Sequence, residues 1–215
     1  MAGLMKKPGL FVVAAGLSLM SIGCALNNNQ DYEARALSLP VTSGRTIAVG
    51  TQDQRPLVVK GPEREHYVGH QRGGYGNPFL VTTKDLKPLA GVVTNVVKSA
   101  LQQKGAKVTP VALSPRTSTG NAHAAFAATK ADRWMMISMK EWDSDTYVNT
   151  DLDYDLLVQV FDGEGKLLAS NELKEKDTIK SPALGGGVHS ELIPEAFKQR
   201  MEELLSDPKI VAALQ

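Results

Sequence analysis

Three aspartates in this chain have a spacing that calcium loops use. Asp151, Asp153 and Asp155 alternate along one segment. A calcium loop of the EF-hand type also needs glycine at its sixth position and glutamate at its twelfth. Those positions hold Leu156 and Asp162, and the same alternation fits one solvated face of a β-strand. We therefore predict a solvated strand face here and no metal site.

Two other patterns are weaker still. His66 and His70 have the four-residue spacing of a helical metal pair, but glycine and proline around them favour an exposed polar loop. The glycines at 185–187 precede a predicted helix, yet the lysine and hydroxyl residue of a phosphate loop are missing. No Gly-x-Ser-x-Gly elbow is present either. The sequence predicts no cofactor and no catalytic residue, and hence a protein that is not an enzyme.

The single cysteine, Cys24, carries the most specific chemistry. It follows Ser21-Ile22-Gly23 at the end of a leader with two lysines and the hydrophobic run 9–19. This arrangement resembles a bacterial lipoprotein signal, in which the thiol receives diacylglycerol and the chain is cut before the cysteine. The alternative is an ordinary signal peptide with a chance cysteine near the cut. The run is too short to span ~30 Å of hydrocarbon, so we predict a removed signal at 1–23.

The signal also predicts where in the cell the protein is located. The residue after the cysteine is Ala25 and not aspartate, which by resemblance to enterobacterial lipoproteins indicates the outer membrane, with the domain facing the periplasm. Acyl chains such as palmitate on Cys24 would hold the protein there, because two or more chains anchor stably. The whole chain has 24 basic and 23 acidic residues, and the leader contains two of the lysines. A mature chain with net charge near −1 argues against nucleic acid as a partner.

The pattern of elements predicts the fold class. Residues 24–43 show little apolar periodicity and predict a flexible tether, so we place a single domain at 44–215. Strands are predicted at 45–51, 133–142, 151–162 and 166–177, with a turn at 162–165. Helices are predicted at 86–104, with Asp85 as N-cap and Gly105 after its end, at 118–130, and before Pro208. This order predicts a two-layer α+β domain, in which a mainly antiparallel sheet packs on two main helices.

A family resemblance accompanies this layout. The signal around Cys24 is followed by Asp53-Gln54-Arg55-Pro56 after the first strand, by a valine-rich helix that ends at Gly105, and by Ala131-Asp132 before a sheet hairpin. Together these features resemble the YajG-type lipoproteins. The resemblance implies a lipoprotein of the cell envelope and no particular reaction.

The segment 57–83 is the predicted contact surface. Loops longer than ~12–15 residues are usually functional or disordered, and this one contains five glycines between 61 and 76. Arginine and aromatic residues dominate interface hot spots. The candidates for binding an envelope protein are Arg55, Arg64, Tyr67, Arg72 and Tyr75. Arg55 also fits a second interpretation, an ion pair with Asp53 at the strand end. We expect an accessory or binding module.

The alternative function is a carrier of a small ligand, such as a lipid or a cell-wall fragment. Trp134, Met136 and Trp142 occupy alternate positions of one predicted strand, so they are expected on one face of the sheet. That face either packs in the core or lines an apolar groove against helix 86–104.

Overall fold

The computed structural model describes residues 29–61, 64–180 and 186–215, except for the side chains of 186–190. Cys24 and the predicted signal lie outside this part. The elements follow one another as β1 (Asn29–Gln30), β2 (Thr46–Asp53), α1 (Pro56–Lys60), β3 (Tyr67–Arg72), β4 (Pro78–Thr83), α2 (Leu89–Gln103), β5 (Lys107–Pro110), α3 (Thr119–Ala127), β6 (Arg133–Thr146), β7 (Thr150–Asp162), β8 (Leu167–Ile179), α4 (Gly186–Leu205) and α5 (Pro208–Leu214). No helix in the described ranges is long and apolar enough to cross a bilayer.

The long strand β6 organises one mixed sheet. Along one edge it pairs antiparallel with β7, which pairs antiparallel with β8. Along its other edge β6 pairs in parallel first with β2 and then with β3. Beyond β2 lies β5, and beyond β3 lie β4 and then β1. The predicted α+β class and the hairpin turn at 162–165 are confirmed, while β5, β2 and β6 form a parallel group.

Helices cover both faces of this sheet. The main core joins α2, α4 and α5 to one face, through side chains such as Val93, Val97, Leu101, Phe197, Leu204 and Ile210. The shorter α3 packs on the opposite face, where a smaller cluster contains Phe126, Trp134, Met136 and Phe161. The helices α2 and α3 connect the parallel strands, as crossover connections require.

The expected common face of Trp134, Met136 and Trp142 is wrong. Trp134 and Met136 belong to the small cluster under α3, whereas Trp142 lies in the main core. The pairing of β6 with β7 shifts register between Met139 and Glu141. The extra residue, Lys140, is a β-bulge, and one inserted residue moves all later side chains to the other face.

The segment before β2 is part of the domain, so the expected tether at 24–43 is too long. Residues 29–30 form β1 and pair in parallel with β4. Four hydrophobic side chains of the following segment are buried in the main core, namely Tyr32, Leu37, Leu39 and Val41. The domain therefore starts at or before Asn29 and not at Gly44. Because irregular backbone carries these side chains, they show no periodicity in the sequence.

Two helix boundaries also differ from the prediction. Helix α2 begins at Leu89, because Asp85 adopts a left-handed conformation (φ 58°) in a preceding 3-10 turn and caps nothing. Gly105 follows the helix with φ 95°, as predicted for a residue that ends a helix in a left-handed conformation. The last helix, α4, already begins at Gly186, where a glycine-rich loop was expected.

Candidate binding surface

A buried ion pair lies beneath the segment 57–83. Arg55 has 0% of its surface exposed, and Asp53 has 1%. The Arg55 Nε and Nη2 donate to the two Asp53 carboxylate oxygens at 2.9 and 2.7 Å. Its Nη1 donates to the backbone carbonyls of Tyr67 and Trp142 at 2.6 and 3.1 Å. The ion-pair interpretation is confirmed, and Arg55, predicted as a partner-binding residue, cannot reach a partner because it has no exposed surface.

The segment above this pair is folded into α1 and the β3–β4 hairpin. A pocket of about 290 Å³ opens between them, lined by Leu57, Arg64, His66, Tyr67, His70, Leu80 and Thr82. Two of the predicted contact residues, Arg64 and Tyr67, thus share one cavity. His66 and His70 lie in it as well, although sequence reasoning assigned them only to a polar loop. Its walls combine hydrogen-bond donors with the apolar side chains of Leu57 and Leu80, the mixture that ligand sites show.

Two polar side chains of the pocket, Tyr67 and His70, are hydrogen-bonded to each other, and Tyr67 is also bonded to the sheet. The Tyr67 hydroxyl donates to the Asp143 carboxylate at 2.8 Å and lies 2.9 Å from His70 Nδ1. Because the hydroxyl has a single hydrogen, Nδ1 is the donor in the second bond. Burial, followed by the Asp143 carboxylate, raises the pKa of Tyr67. The phenol therefore stays protonated and donates to Asp143.

Arg72 continues the same face of the sheet beyond the pocket. Its Nε donates to Asp145 at 2.8 Å, and both side chains are partly exposed. The hydrogen bond from Arg72 holds the pKa of Asp145 below its ordinary value. Nearby, burial and then the charge of Asp143 raise the pKa of Glu141. This face of the sheet therefore carries a row of carboxylates, Glu141, Asp143 and Asp145, with Arg72 beside it.

The three aspartates of β7 each have a partner on the neighbouring strand β8. Asp155 accepts from Lys174 at 2.8 Å, Asp153 accepts from Lys176 at 3.0 Å, and Asp151 accepts from the Thr178 hydroxyl. Cross-strand pairs of opposite charge stabilise sheets. In the described ranges, no three His, Cys, Asp or Glu side chains come together as a metal site. The alternation that resembled a calcium loop serves sheet pairing.

Tyr75 lies apart from the pocket, at the tip of the β3–β4 hairpin. Its side chain is fully exposed, and Gly76 beside it adopts φ 79°, as a tight turn requires. Of the five predicted contact residues, Arg64 and Tyr67 line the pocket, Arg72 lies beside it, Tyr75 lies at the tip, and Arg55 lies beneath.

Sequence reasoning missed a second cavity. A crevice of about 390 Å³ opens where β2 and β5 end and α2 begins, lined by residues that include Thr51, Pro88, Gly91, Val111 and Leu113. The carboxyl ends of parallel strands are the usual place for ligand sites in α/β sheets. A parallel β5–β2–β6 group would have been the signal, but strand direction could not be read from the sequence.

Comparisons with known proteins establish the fold only. No protein-family model and no curated protein matches the sequence. Among solved structures, protein XCC0632 from Xanthomonas campestris, of family DUF330, is similar at 14% identity and a TM-score of 0.51, covering 83% of this chain and 92% of that one. Two further structures are less similar. PelC from Paraburkholderia phytofirmans has 11% identity and a TM-score of 0.38, covering 76% of this chain and 92% of that one. Lipoprotein GNA1162 from Neisseria meningitidis has 15% identity and a TM-score of 0.29, covering 75% of this chain and 99% of that one. The chain thus has an α+β fold similar to that of XCC0632.

Proposed function

We propose that this chain is a lipoprotein of the bacterial cell envelope, anchored through Cys24 and acting without catalysis as an accessory or binding module. The observation that carries the proposal is the cysteine itself, which follows a basic and hydrophobic leader and precedes the first strand by five residues. Ala25 favours the outer membrane and a domain that faces the periplasm, and the YajG-type resemblance favours the same class.

The anchor is tested by the mass of the mature chain. Protein made in a bacterial host should begin at Cys24 and carry diacylglycerol with an additional acyl chain, and it should incorporate labelled palmitate. The variant Cys24→Ser should lose the label and leave the membrane fraction. A mature chain with an unmodified Cys24 would overturn the proposal. Separation of inner and outer membranes then tests whether the protein is anchored in the outer membrane.

The pocket between α1 and β3 is the proposed contact site for an envelope protein. Its exposed rim carries Arg64, and Arg72 with Asp145 extends the polar surface. A partner that offers a carboxylate to Arg64 and an apolar side chain to Leu57 and Leu80 would match this lining.

Photo-crosslinking in the native envelope tests this contact. A photoreactive residue at Arg64 should give one discrete protein adduct, whereas the same residue at the exposed Glu164, in the turn between β7 and β8, should give none. Absence of an adduct at position 64, or equal adducts at both positions, would refute the pocket as a contact site.

The crevice at the start of α2 favours a second candidate, a carrier of a small apolar ligand. It replaces the groove that Trp134 and Trp142 were expected to form. The lining is largely apolar, with two prolines from β5 and the loop after it, Pro110 and Pro115. Native mass spectrometry of protein from its host should then show a bound molecule.

A matched pair of variants makes that test specific. A Cβ at Gly91, which lines the crevice, or at Gly120 in α3 would meet no atom within 4 Å. Gly91→Leu should therefore fill the crevice and expel the ligand, while Gly120→Leu should leave it bound. A clean apo mass for the unaltered chain would rule against the carrier.

A further inference from the structure

Exposed hydrophobic side chains gather at one end of the sheet, at two neighbouring turns. Tyr75 is 102% exposed and Phe79 39% in the β3–β4 hairpin, while Tyr147 is 53% and Val148 57% exposed in the β6–β7 hairpin. We call these four residues the hairpin-tip patch. The strand register brings the turns together, because β3 runs parallel to β6 with Gln71 opposite Thr146. The two strands thus enter their turns side by side.

The exposed side chains of this patch are large and apolar. The β3–β4 turn has the glycines and asparagine that hairpin turns favour, but Tyr75 stands among them, Phe79 follows in β4, and Tyr147 and Val148 occupy the β6–β7 turn. Beside the patch, Arg72 and Asp145 neutralise each other in an ion pair. Tyrosine is enriched where an apolar body meets lipid and a polar end meets water.

The chain enters the domain from this same end. Strand β1 runs parallel to β4, and Asn29 lies opposite Thr82. Since β4 runs from the tip at Pro78 towards Thr83, Asn29 is the end of β1 that lies on the side of the tip. Pro78 lies four residues before Thr82, which corresponds to ~13 Å along the strand.

The length of chain between the predicted anchor and β1 limits how far the domain can lie from the bilayer. Five residue steps separate Cys24 from Asn29, and five fully extended residues span at most ~18 Å. Asn29 lies at the level of Thr82, ~13 Å along β4 from Pro78. If the chain before Asn29 followed the line of β4 towards the tip, an acylated Cys24 at the bilayer surface would lie at most ~5 Å beyond the level of Pro78. Tyr75 lies in the turn that precedes Pro78, so that direction of the chain would bring it to the level of the same surface.

We propose that the hairpin-tip patch is a second membrane contact, seated in the headgroup region of the bilayer that holds the acyl chains of Cys24. The inference rests on the proposed lipidation. Tyr75 and Tyr147 place their rings at the headgroup level, and Phe79 and Val148 bury apolar surface beside them. Two points of attachment fix the orientation of the domain, with the β7–β8 turn directed away from the membrane.

The experiment uses the full lipidated chain in vesicles of phosphatidylethanolamine and phosphatidylglycerol. Cys24 is the only cysteine of the chain, and acylation removes its thiol, so one engineered cysteine takes a fluorophore selectively. The test positions are Tyr75→Cys and Tyr147→Cys. The matched control is Leu168→Cys, an exposed apolar residue near the start of β8 at the other end of the sheet. Nitroxides on the lipid headgroups serve as quenchers.

We expect strong quenching of the labels at positions 75 and 147, and none at 168. Equal quenching at all three positions, or none at 75 and 147 on protein whose mass shows the acyl chains, would overturn the membrane contact and leave the lipoprotein proposal intact. A label at position 75 that is covered by a second copy of the chain or by another protein, and is therefore not quenched by the lipid nitroxides, would refute the membrane contact in the same way. An unmodified Cys24 would overturn both proposals, and the mass measurement separates the two cases.

Discussion

Replacing Arg55 by alanine tests the buried ion pair on which the segment 57–83 rests. The substitution removes both guanidinium donors from the Asp53 carboxylate, which keeps the backbone N–H of residue 55, and it removes one donor from each of the carbonyls of Tyr67 and Trp142. An uncompensated buried charge costs ~3–5 kcal/mol, compared with a total stability of ~5–15 kcal/mol for a domain. If the cost is ~4 kcal/mol and urea weakens folding by ~2 kcal/mol per molar, the urea midpoint should fall by roughly 2 M.

Urea unfolding of the domain, followed by tryptophan fluorescence, is the assay. Asp53→Ala should cost a similar amount, and the double variant should cost less than the sum by ~1–3 kcal/mol, because each single change leaves a lone charge. The matched control is Arg35→Ala, whose partner Glu191 lies 3.7 Å away and is largely exposed; its cost should stay below ~1 kcal/mol. A cost below ~1 kcal/mol for Arg55→Ala, or strict additivity in the double variant, would refute the reasoning.

Three further predictions concern the N-terminal segment and the charged face. A chain that starts at Gly44 loses four buried hydrophobic side chains, each of which contributes ~1.5–3 kcal/mol. It should therefore show no cooperative thermal transition. Cooperative unfolding of this shortened chain would instead support a tether that extends to residue 43. Tyr32→Phe removes the acceptor 3.0 Å from the Trp142 indole nitrogen and should cost ~1–3 kcal/mol in urea unfolding, unless the indole finds another acceptor. Arg72 lowers the pKa of Asp145, so this carboxylate contributes stability above its unfolded pKa that is lost as pH falls through the folded value. Arg72→Gln should raise the pKa of Asp145 in an NMR titration and weaken that pH dependence; an unchanged titration would contradict the assignment.

Short-range signals in the sequence predicted the elements that depend on short-range physics. The turn at 162–165 follows from its glycines, and the carboxylate of Asp162 accepts backbone N–H bonds from Glu164 and Lys166. Gly105 ends α2 because only glycine takes its left-handed conformation without strain. The apolar stripe of α2 follows helical periodicity and is buried as expected. These features need no knowledge of the rest of the chain.

Three of the differences from the prediction depend on contacts that are distant in the sequence. The composition of β6 does not reveal the bulge at Lys140, yet this bulge places Trp134 and Trp142 on opposite faces of the sheet. The predicted tether includes residues 29–43 because the sequence shows no periodicity where buried side chains are carried by irregular backbone. The sequence leaves Arg55 with two interpretations, a contact residue and an ion pair with Asp53, and its position opposite two backbone carbonyls decides for the buried ion pair.

The same buried contacts determine how the candidate binding surface can work. Arg55 bonds the carbonyl of Tyr67, and Tyr67 bonds Asp143 on β6. The start of the β3–β4 hairpin is thereby fixed to the sheet, and the pocket is formed before any partner arrives. A preformed surface loses little conformational entropy on binding, so a variant that loosens this attachment should weaken partner capture even though Arg55 never touches the partner. Such a loss, with the surface residues unchanged, would separate pre-organisation from direct contact.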